Sequence, residues 1–167
     1  MLGNAKKFSK KLKNFVENVG QRANRANKKI AKTAFKSIVD KSPVRTGSYV
    51  LSHRIGIKKL TSSPTRGRGF AATYVNQPKP GEKFQRITKK QFHAVKTIAM
   101  KQTSKIDKAR YFSRIVIGNN IHYADNVEYL GWARTGPYHV YGRTIEEMKL
   151  KIPFIVKQIR VGSKGPV

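Results

Sequence analysis

The sequence predicts an α+β fold, a small, mostly antiparallel sheet packed by a long N-terminal helix and a C-terminal helix. Three observations predict it. Apolar residues in the N-terminal segment recur in alternating steps of four and three. Two later runs alternate apolar and polar residues between turn-forming segments. The last apolar stretch repeats at helical spacing behind a helix-start signal. With 167 residues, the chain fits a single domain over 1–160, with a loose tail at 161–167.

The first element is a helix within 1–40. Phe8, Leu12, Phe15, Val19, Ala23, Ala26 and Ile30 form its stripe, which continues through Ala34, Phe35 and Ile38. Lys6, Lys10, Lys13, Glu17, Asn24 and Lys28 fall off the stripe. The expected role is a core-facing helix, ranked above a coiled coil with another chain, with a partner-facing use of its first turns left open. Gly20 marks a candidate bend. Pro43 stops the helix, Thr46-Gly47 turns the chain, and Tyr49, Leu51, His53, Ile55 and Ile57 alternate as a strand.

Residues 61–83 form a basic, breaker-rich insertion around Arg66-Gly-Arg-Gly, with a short strand at 71–75. A second helix is expected over 88–105, with Phe92, Val95, Ile98 and Ala99 on its apolar face. A strand follows at 110–118, then a turn at Asn119-Asn120. A short helical or irregular segment is expected from His122 to Tyr129, and a loop around Trp132. Thr144-Ile-Glu-Glu147 matches a capping box, so the last helix is expected to start there. Ile145, Met148, Ile152, Ile155 and Ile159 share one of its faces, and Pro153 is expected to kink or restart it.

Charge dominates the composition. Lys and Arg number 36 against 8 Asp and Glu, a net charge of +28. Residues 1–45 carry a net +11, residues 46–110 +13, and residues 111–167 +4. A field of this size calls for an anionic neighbour: nucleic acid, an acidic protein surface or an anionic membrane. The absence of cysteine excludes disulfides and thiolate metal sites and fits a reducing cytoplasm. No run is apolar enough for a membrane span, and Met1 to Lys13 lacks the apolar stretch of a signal peptide.

Candidate chemistry is sparse. The sequence holds no phosphate-binding glycine loop, nucleophile elbow or zinc-helix histidine pair. His53, His93, His122 and His139 are scattered, and each is read as packing or surface. His122 and Asp125 lie three apart with no third partner. The expectation is a non-enzyme without cofactor or metal. Lys58, Lys59, Arg66, Arg68, Lys89 and Lys90 are the candidate contacts to DNA phosphate or to an acidic partner, since arginine forks and lysines grip phosphate without reading bases.

Two segments resemble the tail-completion, or head–tail joining, proteins of long-tailed bacteriophages. In the first, a helix ends at Pro43 and is followed by Thr46, Gly47, Leu51 and Ser52. In the second, a strand is followed by Tyr123-Ala124, Glu128 and Gly131. Ile152-Pro-Phe154 within a final helix is similar as well. The resemblance spans about 5–60 and 110–160; residues 61–109 depart from it, being longer and more basic. It implies a structural virion protein of the neck, assembled in the host cytoplasm. It also implies a homo-oligomeric ring of six around the DNA passage, bound to the portal or connector and to tail-tube or tail-terminator proteins. Non-specific contact with double-stranded DNA would follow, with no membrane partner. The alternative is a non-specific nucleic-acid-binding protein of the ribosome-associated or nucleoid type, which explains the charge but not the two motifs.

Overall fold

The computed structural model describes residues 2–43, 47–60, 88–110, 113–119, 121, 124–131 and 136–161. Helix α1 (Leu2–Lys41) is followed by a helical turn, α2 (Ser48–Leu51), and strand β1 (His53–Ile57). Then come helix α3 (Lys89–Lys101), a 3-10 helix (Gln102–Lys108) and strand β2 (Ile115–Asn119). A π-helical turn (Asn126–Leu130) leads into helix α4 (Val140–Val161). The fold is α+β: β1 and β2 pair antiparallel, with His53 opposite Asn119 and Ile57 opposite Ile115. The N- and C-terminal helices pack this small sheet. A two-stranded ladder is marginal alone, so its stability comes from that packing.

Two apolar clusters do this work. Ala31, Phe35 and Val39 recur every four residues along α1 and meet Val50, Leu51, Ile55, Val95, Ala99 and Ile106. Ile38, on the neighbouring face of α1, meets Tyr49, Val127 and Val140. The C-terminal half of α1 therefore touches both clusters, and it shares its most extensive contact with α4. Burying a side chain such as Phe35 is worth roughly 1.5–3 kcal/mol.

Several elements differ from the sequence expectation. α1 runs unbroken through Gly20, and its stripe faces the core only in its second half. The strand expected from Tyr49 starts at His53. Tyr49, Val50, Leu51, Ser52 and His53 are buried in succession, which a helical turn permits and a half-buried strand does not. The turn closes where Leu51 N donates to Gly47 O at 3.0 Å.

The helix of 88–105 stops as α-helix at Lys101. The Thr103 and Ser104 hydroxyls donate to the Met100 and Lys101 carbonyls at 2.8 and 2.9 Å, and such local bonds compete with the regular ladder. Thr88 and Gln91 cap its start reciprocally. The second strand begins at Ile115, after a turn in which Ser113 N donates to Arg110 O. Asn119, expected in a turn, is its last residue.

α4 starts four residues before the expected capping box. Thr144 is buried inside the helix, and its hydroxyl donates to Val140 O at 2.8 Å. Pro153 lies inside a continuous α4. It is on the exposed face, where the carbonyl left without its N–H partner is within reach of water. α4 also continues through Val161, expected in the tail. The insertion at 61–83, its strand at 71–75, the Trp132 loop and residues 162–167 lie outside the described residues.

Gly47 has φ 76° and is buried, a conformation that side chains disfavour. Gly47→Val is expected to destabilise the fold by about 1 kcal/mol or more. Thermal unfolding of the variant checks this; an unchanged midpoint would remove Gly47 as the constraint on this turn.

Candidate functional site

The first motif segment ends α1 and turns into β1, and its residues meet at a buried polar seam. Ser42 N and Oγ both donate to Ile38 O, at 3.0 and 2.7 Å, closing the helix before Pro43. Ser42 Oγ lies 2.7 Å from His53 Nε2. On the other side of the ring, His53 Nδ1 is 3.0 Å from Tyr141 Oη and 3.2 Å from Asn119 Nδ2. The orientation of the Asn119 amide is fixed: Nδ2 donates to Tyr49 O, and Oδ1 accepts from Ile121 N, both at 3.0 Å.

That orientation settles the histidine tautomer. Asn119 presents N–H to Nδ1, so Nδ1 accepts. Nε2 carries the proton and donates to Ser42 Oγ, whose own hydrogen goes to Ile38 O. Burial, with Arg54 nearby, pushes the His53 pKa down to about 3. Burial first, then Tyr49 and Glu128, pushes the Tyr141 phenol upward. The rings of Tyr49 and Tyr141 approach His53 edge-on, with centroids 4.9 and 5.8 Å away.

A serine on an imidazole is also how hydrolase nucleophiles are activated. Here both residues are buried and the hydroxyl hydrogen is committed to a carbonyl, so the pair joins α1 to β1. Sequence reasoning missed this network. Its only signal was a histidine in an apolar alternation, because Ser42, Asn119 and Tyr141 are too distant in sequence to suggest a cluster.

The second motif segment starts α4. Glu128 is buried, and its carboxylate accepts from Tyr141 N at 2.9 and 3.1 Å and from Gly142 N at 3.0 Å. This satisfies amides that a helix start leaves unpaired and sets a negative charge at the positive end of the helix. Gly131, at φ 74°, donates its N–H to Asn126 O at 2.6 Å. Ala124 packs against the second apolar cluster. Leu51 and Ser52 are buried beside His53. Thr46 and Tyr123 lie outside the described residues.

The candidate phosphate contacts are spread out. Lys58 and Lys59 are exposed at the end of β1; Lys58 has φ 68°, and its N–H donates to Arg114 O at 2.7 Å. Lys89 and Lys90 are exposed in the first turn of α3. The end of α3 that reaches β1 is the far one, where Gln102 Nε2 donates to His53 O. Arg66 and Arg68 lie outside the described residues. Six lysines, Lys32, Lys36, Lys41, Lys96, Lys149 and Lys151, pair with four carboxylates among the described residues. Over the whole sequence 36 basic residues stand against 8 acidic ones, so the positive charge far exceeds what carboxylates can balance.

Two further features are exposed apolar surfaces, the first of them on the helix turns for which the sequence left a partner-facing use open. Every side chain from residue 5 to 19 is exposed. α1 first bonds to the body through Asn24 Nδ2, which donates to Ala109 O at 3.1 Å, and then through Asn27 Nδ2, which donates to Ser113 O. Its first half is thus a projecting arm. An open apolar groove of about 350 Å³ lies between α1 and α4, with Ile30, Ala34, Ile117, Ile145, Met148 and Ile152 among its lining. Among the described residues no group of His, Asp and Glu is placed to hold a metal ion, and no helix is long and apolar enough to cross a membrane.

No family model matches the chain, and neither a curated protein nor a solved structure matches it.

The seam makes stability depend on pH. The folded-state pKa of His53, about 3, lies below its ordinary 6.5. Between those values the unfolded chain holds a proton that the folded chain lacks. Stability is therefore full above pH 6.5 and falls as pH drops toward 3, by at most about 1.4 kcal/mol per pH unit from this group. His53→Gln, which does not titrate, is expected to flatten that part of the profile. Denaturant midpoints measured across the window check this; equal slopes in both proteins would exclude His53 as the cause.

Proposed function

We propose that this protein is a structural subunit of the head–tail junction of a tailed bacteriophage, a tail-completion or neck protein. In this reading it forms a ring that joins the tail to the portal or connector and surrounds the DNA passage. It works as part of the virion, after assembly in the host cytoplasm, without catalysis or a cofactor. The six-fold ring and the portal, connector, tail-tube or tail-terminator neighbours remain part of the proposal, through the resemblance of its two motif segments to that family.

The observation that carries this reading is the placement of the motif residues. Pro43, Gly47, Leu51 and Ser52 lie where α1 gives way to β1, and Ala124, Glu128 and Gly131 lie where the chain enters α4. His53 and Tyr141 bridge the two places. Those positions shape the frame of the fold, as landmarks of a family would. Among the described residues Lys58, Lys59, Lys89 and Lys90 are exposed and outside the ion pairs, which suits a wall facing DNA. Phosphate contacts without base reading hold the duplex yet let it slide.

A second reading, a non-specific nucleic-acid-binding protein, is favoured by that same charge excess. Two experiments separate them. Deleting the gene from the phage that encodes it is expected to leave filled heads and separate tails; normal infectious particles would sink the junction reading. Neutralising Lys58, Lys59, Lys89 and Lys90 together with Arg66 and Arg68 then tests the partner. If they meet DNA, heads and tails still join, DNA retention or ejection changes, and the salt slope of DNA binding falls by about 0.9 per lost phosphate contact. If they grip acidic protein surfaces, joining itself fails.

A further inference from the structure

One face of α1 is cationic along nearly its whole length. Positions 7, 11, 14, 18, 22, 25, 29, 32 and 36 recur in steps of four and three, so a helix sets them in one row. In the unbroken α1 the row reads Lys7, Lys11, Asn14, Asn18, Arg22, Arg25, Lys29, Lys32 and Lys36. No carboxylate and no apolar side chain interrupts it. All of these residues are exposed except the half-buried Lys32. The row spans about 44 Å at 1.5 Å per residue. Toward its C-terminal end Lys29 bonds to Gln158, and Lys32 and Lys36 pair with Asp107 and Asp40. Lys7, Lys11, Arg22 and Arg25 take part in no ion pair among the described residues.

The row is separate from the apolar stripe. Phe8 follows Lys7 and Leu12 follows Lys11, and one residue turns a helix by about 100°. The row also outlasts the exposed part of the stripe, whose large exposed side chains end at Val19. Beyond that point α1 buries Ala31, Phe35 and Val39 in the body, while Arg22, Arg25, Lys29 and Lys36 still face solvent. An anionic lipid surface would need the apolar face turned toward it along the helix, and that face enters the body. A protein interface centres on apolar side chains and is poor in lysine. The row offers only cations and amides.

We infer that this row is a phosphate track on which the backbone of double-stranded DNA lies. It rests on the head–tail reading for the duplex that passes the junction, while the track itself rests on the row. Arginine forks bind phosphate oxygens in pairs, lysines act as point charges, and asparagine amides donate to the same oxygens. No aromatic side chain stands in the row, so the bases of a single strand find no stacking platform there. A rod of about 44 Å exceeds one duplex turn of about 34 Å, so a duplex laid along it presents both of its backbones.

The test measures binding of the full-length chain to a duplex of about 30 base pairs and arbitrary sequence over a range of salt concentrations. The track variant carries Lys7→Gln, Lys11→Gln, Arg22→Gln and Arg25→Gln; the three lysines bonded to Gln158, Asp107 and Asp40 stay. A matched variant loses as many exposed charges off the row, through Lys6→Gln, Lys13→Gln, Lys101→Gln and Lys157→Gln. The salt slope of the track variant is expected to be shallower than that of the wild type by about 3.6, at about 0.9 per lost phosphate contact. The matched variant is expected to keep the wild-type slope. Lys7→Gln with Lys11→Gln alone, in the exposed arm, is expected to lower the slope by about 1.8 and to leave thermal unfolding unchanged, which separates lost contacts from a folding defect.

Equal losses in the two four-charge variants would mean a diffuse field instead of a track and overturn the proposal. A wild-type chain that does not bind the duplex overturns it, as does a single strand bound more tightly than the duplex. So does a track variant that keeps its affinity for the duplex and loses binding to vesicles of anionic phospholipid. The deletion experiment is read independently, so the head–tail reading and the track can each fail while the other stands.

Discussion

The Nε2 proton of His53 is donated to Ser42, and with the contacts on the other side of the ring this fixes how four parts of the molecule meet. Ser42 closes the last turn of α1, His53 opens β1, and on the opposite side of the ring Asn119 ends β2 while Tyr141 begins α4. Each neighbour presents the group that a neutral imidazole requires: an oxygen at Nε2, and N–H or O–H at Nδ1. A protonated ring would turn Nδ1 into a donor facing the Asn119 N–H. The depressed pKa and the geometry thus have one cause, a histidine buried as a neutral spacer among partners already committed elsewhere. The two-stranded sheet keeps its register because both members of its terminal pair, His53 and Asn119, belong to this network.

The entry to α4 obeys the same constraint from the other side. Glu128 reaches the helix start from thirteen residues upstream of Tyr141, across a π-helical turn. This explains why the local reading of Thr144-Ile-Glu-Glu147 misplaced the helix start. A capping box satisfies amides from within its own turn. Here a buried carboxylate distant in sequence satisfies them first, which frees Thr144 for the core. It also frees Glu147 to reach α1, where it bonds Ser37 at 2.5 Å and pairs with Lys41. Those bonds, with Lys151 first, hold its carboxyl down at about 2.

What the sequence disclosed follows from range. Both terminal helices, the two strands and the second helix were legible, because periodicity and helix stops are written in neighbouring residues. The turn at Gly47 was legible for the same reason. The helical turn at 48–51 was not, since Tyr49 and Leu51 alternate correctly for a strand and only burial of Val50 between them reveals the turn. The His53 network was hidden because its members are spread from Ser42 to Tyr141. Of the basic candidates, Lys58, Lys59, Lys89 and Lys90 are exposed as expected, but on elements that the sequence could not place relative to one another.

The reading of α1 as core-facing holds for its second half alone, and the reason is physical. Seven residues in steps of four and three describe one continuous apolar stripe, and periodicity carries no information about what covers it. The body of the protein covers the stripe only where other elements exist to do so, around Ala31, Phe35 and Val39. Toward the N-terminus the same pattern continues with every side chain from residue 5 to 19 exposed. A helix selected only to cap this small core would have no need of Phe8, Leu12 and Phe15, and lysines on every face would be more soluble. The long helix therefore differs along one continuous rod: its second half builds the fold, and its first half holds an apolar stripe exposed to solvent.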